Sequence, residues 1–101
     1  MVTIGRYGFE GPYTNTAYLQ DKSGVYAIID DRSNSLIVVD VGESANVKSR
    51  VENHERESCW TKNRIGILKV AVLYTPSLQQ AGRMQIEQEL RDQFNPVCGV
   101  R

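Results

Sequence analysis

Several marks of whole protein classes are missing from this sequence. There is no charge excess, since twelve Lys and Arg are balanced by twelve Asp and Glu. Coating nucleic acid through bulk electrostatics needs a strong positive field, so any phosphate contact must come from a local patch. No apolar run approaches the roughly eighteen residues of a membrane-spanning helix, and no membrane partner is expected. The opening MVTIGRYGFEG lacks a basic start followed by an apolar block, so no secretory signal is expected and a cytoplasmic location is the default. Only two cysteines occur, Cys59 and Cys98, with neither CxxC spacing nor a nearby histidine. That excludes a zinc site, and in a reducing cytosol both are expected as free thiols. Internal repeats and low-complexity segments are absent too.

What remains is ordinary globular material, 41% hydrophobic and 24% charged over 101 residues. This suffices for one modest core and is too apolar for disorder. A single domain over 1–101 is expected, with 1–23 as an N-terminal extension and 24–99 as its core. In the extension, Val2-Thr3-Ile4 reads as a short edge strand. Beyond it Tyr7, Phe9, Tyr13 and Tyr18 lie among Gly5, Gly8, Gly11 and Pro12, which punctuate too often for a regular element. Loop is expected there, its rings either covering one end of the core or offering a stacking surface for unpaired bases.

Gly24–Ile29 and Leu36–Val41 are β-branched runs separated by Asp, Arg, Ser and Asn, the pattern of a β-hairpin. Leu36–Val41 is apolar on both faces, which suggests a central strand. Ser44 suits an N-cap, and a helix is expected from there to about Glu57. Val47, Arg50, Val51 and His54 would share its inward face. Ser58–Arg64 reads as a polar connection, Gly66–Tyr74 as a third strand, and Leu78–Phe94 as a second helix that stops before Asn95-Pro96. The expected fold is α/β (α+β): a small three-stranded antiparallel sheet flanked by helices.

In this order the chain resembles the GIY-YIG nuclease family. Gly24-Val25-Tyr26 matches the first triplet, and Asp40-Val41-Gly42 stands at the second. Arg50 precedes His54 by four residues on the following segment, and Ile86-Glu87, Leu90 and Asn95-Pro96 resemble the family's glutamate helix. The resemblance spans about Gly24 to Gly99. It implies an endonuclease that hydrolyses DNA phosphodiester bonds with one divalent metal, magnesium or manganese. Glu87 would hold the metal, since a hard cation takes carboxylate oxygen and keeps several waters. Arg50 would clamp the phosphate through its planar fork, Tyr26 would act as general base or orient water, and His54 would assist proton transfer. Lys48, Arg50, Lys62 and Arg64 form the candidate nucleic-acid patch. With no room for a separate DNA-binding domain, a protein partner would supply targeting.

Two departures stand out. Asp40 replaces the second tyrosine, where it could add a metal ligand opposite Glu87, cap the strand end, or mark lost cleavage. Gly99 follows Pro96-Val97-Cys98 where many relatives carry an asparagine beyond the proline. Each candidate also has a plain structural role. Tyr26 can simply pack, Arg50 can pair with a carboxylate such as Glu87, His54 can be a satisfied histidine, and Glu87 can pair with Arg83 or Arg91. A fold that binds nucleic acid or protein without cutting is therefore the alternative function.

Overall fold

The computed structural model describes residues 1–99; Val100 and Arg101, the end of the expected single domain, lie outside the described residues. Its elements are β1 (Val2–Ile4), β2 (Tyr7–Tyr13), β3 (Gly24–Asp31), β4 (Leu36–Ser44), α1 (Val47–Glu52), α2 (Glu57–Asn63), β5 (Ile67–Tyr74) and α3 (Gln80–Phe94). Among the described residues the sheet has five antiparallel strands in the order β1-β2-β5-β3-β4, not three. The extra pair comes from the N-terminal extension. β2 is a real strand despite Gly8, Gly11 and Pro12, because its pairing with β5 shifts register between Glu10 and Tyr13. Proline is tolerated where the ladder is already interrupted.

Strand alternation divides the core. Tyr26 and Ile28 of β3 face one side, with Val39, Val47, Val51, Trp60, Val70 and Val72. Val25, Ala27 and Ile29 face the other, with Phe9, Val41, Ala71 and Leu90. α1 and α2 cover the first face and α3 the second. Each buried aliphatic side chain contributes about 1.5–3 kcal/mol of transfer free energy, so the two half-cores account for most of the fold's cohesion.

Four sequence expectations need correction. β4 lies at the sheet edge, not the centre; it is apolar on both faces because α3 and the segment after it pack around that edge, where the Cys98 amide donates to the Val39 carbonyl. The expected helix from Ser44 to Glu57 is two short helices with a turn at Asn53–Arg56, so His54 sits between them. Ser44 ends β4, and its hydroxyl accepts from the Asn46 amide instead of capping α1. Finally, Cys59 and Cys98 are disulfide-bonded, not free, with Cα atoms 6.0 Å apart. The bond ties α2 to the C-terminal segment, a proximity that sequence spacing could not show.

Candidate active site

The two triplets meet across the hairpin as the sequence suggested. Tyr26 pairs directly with Gly42 and Ile28 with Asp40. The Tyr26 ring lies across the Gly42 backbone: a Cβ there would stand 2.3 Å from the phenolic oxygen and 2.4 Å from Cζ. Glycine at this position is therefore a requirement of close approach, with no need for positive φ.

From that seat the Tyr26 hydroxyl reaches His54 Nε2 at 2.7 Å. The Arg56 amide donates to His54 Nδ1 at 3.0 Å. A nitrogen that accepts carries no proton, so the neutral ring holds its proton on Nε2 and donates it to the Tyr26 oxygen. Burial, together with the positive Arg50 and Arg56 nearby, lowers the His54 pKa to about 4, and the ring is neutral near pH 7. Burial likewise raises Tyr26 to about 12. Trp60 packs at a tilt against His54, with ring centroids 4.7 Å apart.

Arg50 is electrostatically coupled to the Tyr26 hydroxyl, yet its two terminal nitrogens donate to Glu55 at 2.6 and 2.8 Å. That fork depresses the Glu55 carboxyl to about 2. On the other side of β4, α3 presents a charged stripe at i, i+4, i+8: Arg83, Glu87 and Arg91 are all buried. Arg83 donates to Glu43 at 2.8 Å, and Arg91 Nε donates to Glu87 at 3.1 Å. Glu87 lies within electrostatic range of Tyr26.

Asp40 Oδ1 accepts from the Val41 amide and Arg91 Nη2, both at 2.8 Å, and its Oδ2 accepts from Arg56 Nε and Trp60 Nε1, also at 2.8 Å. A carboxylate so fully engaged and only 1% exposed is neither a free base nor a metal ligand. Of the roles left open for Asp40, its hydrogen bonds fit the structural one at the strand end, as the hub that joins Arg56, Trp60 and Arg91. Gly99 belongs to the same hub. It has φ +75°, and a Cβ there would come within 2.6 Å of Arg91, 2.7 Å of Asp40 and 2.8 Å of Arg56. The two departures from the family pattern are one structural unit.

Arg56, Trp60 and Arg91 were not singled out as site residues; the sole clue was Arg91 standing at i+4 from Glu87. The candidate nucleic-acid patch is dispersed. Lys48 shares α1 with Arg50, but Lys62 is at the end of α2, and Arg64 adjoins Ile65 and Gly66, whose amides donate to Asp30. Arg64 is therefore near the far end of β3 from Tyr26.

Does the donor set suit a divalent cation? Among the described residues no three His, Cys, Asp or Glu side chains converge. A protein cage for calcium or zinc is absent from that set, but a hydrated hard cation needs only one carboxylate and several waters. Glu87, which lies within electrostatic range of Tyr26 and accepts from Arg91, is the carboxylate that would take such a cation.

No family model matches the chain, and no curated protein matches it. Among solved structures it is similar to the GIY-YIG N-terminal endonuclease domain of UvrC from Thermotoga maritima, seen as three point mutants bound to that domain's catalytic divalent cation. The TM-scores are 0.63, 0.62 and 0.62, at 12%, 12% and 11% identity, each covering 85% of this chain and 91% of that one. The chain has a GIY-YIG-like fold, α+β with a five-stranded antiparallel sheet.

Proposed function

We propose that this chain, with its GIY-YIG-like fold, is an endonuclease that hydrolyses DNA phosphodiester bonds with one divalent cation, magnesium or manganese. The observation that carries the reading is the Tyr26–His54 hydrogen bond seated on Gly42, with Glu87 in electrostatic range of the same phenol.

Glu87 is the residue that would hold the cation. When bound there, the ion would supply positive charge beside the phenol and the attacked phosphate, favouring the deprotonated form of nearby oxygen acids. His54 donates from Nε2, so the Tyr26 oxygen is an acceptor toward His54 and turns its own proton toward the substrate side. That arrangement suits a phenol that orients the attacking water, or accepts its proton once nearby positive charge lowers a pKa otherwise near 12. His54, neutral and fixed by the Arg56 amide, positions Tyr26 rather than carrying a charge. Arg50 would meet the phosphate by exchanging Glu55 for a phosphate oxygen pair, since each offers two oxygens spaced to accept both bonds of its fork.

One observation favours a second reading, a module that binds without cutting: the terminal nitrogens of Arg50 are already taken by Glu55. Digesting plasmid and oligonucleotide DNA with magnesium or manganese, wild type against Glu87→Ala, separates the two. Cleavage by wild type alone supports the nuclease. If neither protein cuts with any metal, and metal raises the melting temperature of wild type no more than that of Glu87→Ala, the nuclease reading is lost.

A further inference from the structure

A cavity of about 340 Å³ opens between the sheet and the pair α1 and α2, with Trp60 standing between it and His54. Its floor is apolar, built by Val51, Trp60, Leu68 and Val70. Its wall carries the carboxylates of Glu52 and Glu57, both exposed residues. Among the described residues the one cationic side chain lining it is Lys69, which donates to Asp31 at 2.8 Å and is neutralised there. The cavity therefore has a negative rim over an apolar floor. Phosphate is repelled by such a rim, so this is not a continuation of a nucleic-acid track.

We infer that this groove docks a basic segment of a partner protein, one large apolar side chain entering the floor while flanking Lys or Arg residues face Glu52 and Glu57. Charge complementarity selects the occupant, because buried apolar anchors supply affinity and opposite charges at the rim supply selection and on-rate. Size selects its form. The volume lies at the low end of ligand cavities, about 300–1,000 Å³, and a helix is about 10–12 Å across with its side chains. An anchor residue with its neighbours fits; a whole helical face does not. This inference does not rest on the nuclease reading: Tyr26, Arg50, His54 and Glu87 do not line the groove, and Trp60, which does, touches that site only by packing against His54.

Trp60 is the only tryptophan and lines the groove, so the intact chain reports its own occupancy. Tryptophan-free peptides would be titrated while Trp60 emission and the methyl resonances of Val51 and Leu68 are followed. The set is a Lys/Arg-flanked Leu or Phe peptide, the same peptide with its apolar residue changed to Ala, an acidic counterpart, and oligothymidylate. The basic, anchored peptide is expected to bind saturably and to weaken with added salt. Binding is expected to fall roughly tenfold in Glu52→Gln/Glu57→Gln, while the Ala and acidic peptides leave both signals unchanged. Both substitutions are at exposed positions and preserve size, so the fold is retained. The inference is overturned if no peptide moves either signal, if the acidic peptide binds as well as the basic one, if the double variant binds unchanged, or if oligothymidylate moves the Val51 and Leu68 methyls and displaces the basic peptide.

Discussion

Gly42→Ala tests the seating of Tyr26 through the sign of a stability change. Gly42 has no positive φ, so alanine is compatible with its backbone, and lower unfolded-state entropy alone would stabilise the protein by about 0.4–1 kcal/mol. Against this, the new methyl would stand 2.3 Å from the Tyr26 oxygen, 2.4 Å from Cζ and 2.6 Å from Cε2. The ring is 2% exposed and hydrogen-bonded to His54, so it yields only by leaving its packing. Overpacking of this kind costs about 1–3 kcal/mol, which outweighs the entropic gain at most of that range. At about 4–8 °C per kcal/mol for a domain of this size, thermal unfolding should show a clear loss in Tm. Gly82→Ala in α3 is the control. The nearest atoms there are a flexible Leu78 side chain at 3.2 Å or more, and helix propensity should make the change neutral or stabilising by up to about 1 kcal/mol. The single histidine gives a second readout by NMR: Gly42→Ala should displace the phenol from His54 Nε2 and shift that ring's resonances. A Gly42→Ala protein as stable as wild type, with the His54 resonances unmoved, would refute the reasoning.

Three other outcomes are expected. His54 is buried neutral, with its folded pKa below the unfolded 6.5, so the unfolded chain binds the proton first as pH falls. Stability is complete above pH 6.5 and declines toward pH 4, by on the order of 3 kcal/mol; urea unfolding between pH 7 and 4.5 should show this slope, flattened in His54→Gln. Asp40→Ala strands Arg91 and Arg56 without their buried carboxylate and should cost about 3–5 kcal/mol in chemical denaturation, whereas a loss below 1 kcal/mol would remove the hub from the account. Reducing the Cys59–Cys98 bond, which spans 39 residues, should destabilise the protein by about 3–4 kcal/mol, measured as the difference in urea midpoint with and without a thiol reductant. Coincident curves would argue against that disulfide.

The hairpin was legible because its information is local: β-branched alternation and a polar turn fix which residues face which side, and so bring Tyr26 to Gly42. β5 and α3 were legible for the same reason. β2 was hidden because its glycines and proline read as punctuation, while the register shift that accommodates them depends on β5, which pairs Glu10 with Val72 and Tyr13 with Val70 from far along the chain. The His54 region misled because Val47, Val51 and His54 fit a helical period even though the helix stops at Glu52; Asn53 and the Nδ1 acceptance from Arg56 turn the chain instead. Trp60 lies in a stretch that looked purely polar and became α2. Asp40 could not be read from sequence at all. Its role comes from Arg56, Trp60 and Arg91, which three separate elements of the fold bring to one carboxylate.

Single-turnover cleavage of a labelled DNA oligonucleotide with magnesium or manganese, comparing wild type, Tyr26→Phe and Glu87→Gln, addresses the proposed activity most directly. Both substitutions keep the side chain's shape; Tyr26→Phe removes the acceptor of His54 and Glu87→Gln the charge that faces Arg91, so each variant's folding is checked by its melting temperature before rates are compared. If Tyr26 handles the water's proton and Glu87 holds the cation, wild type cleaves and each variant loses about 10²–10⁴-fold in rate. Wild-type cleavage retained in full by either variant, or no cleavage by wild type with either metal, would contradict it.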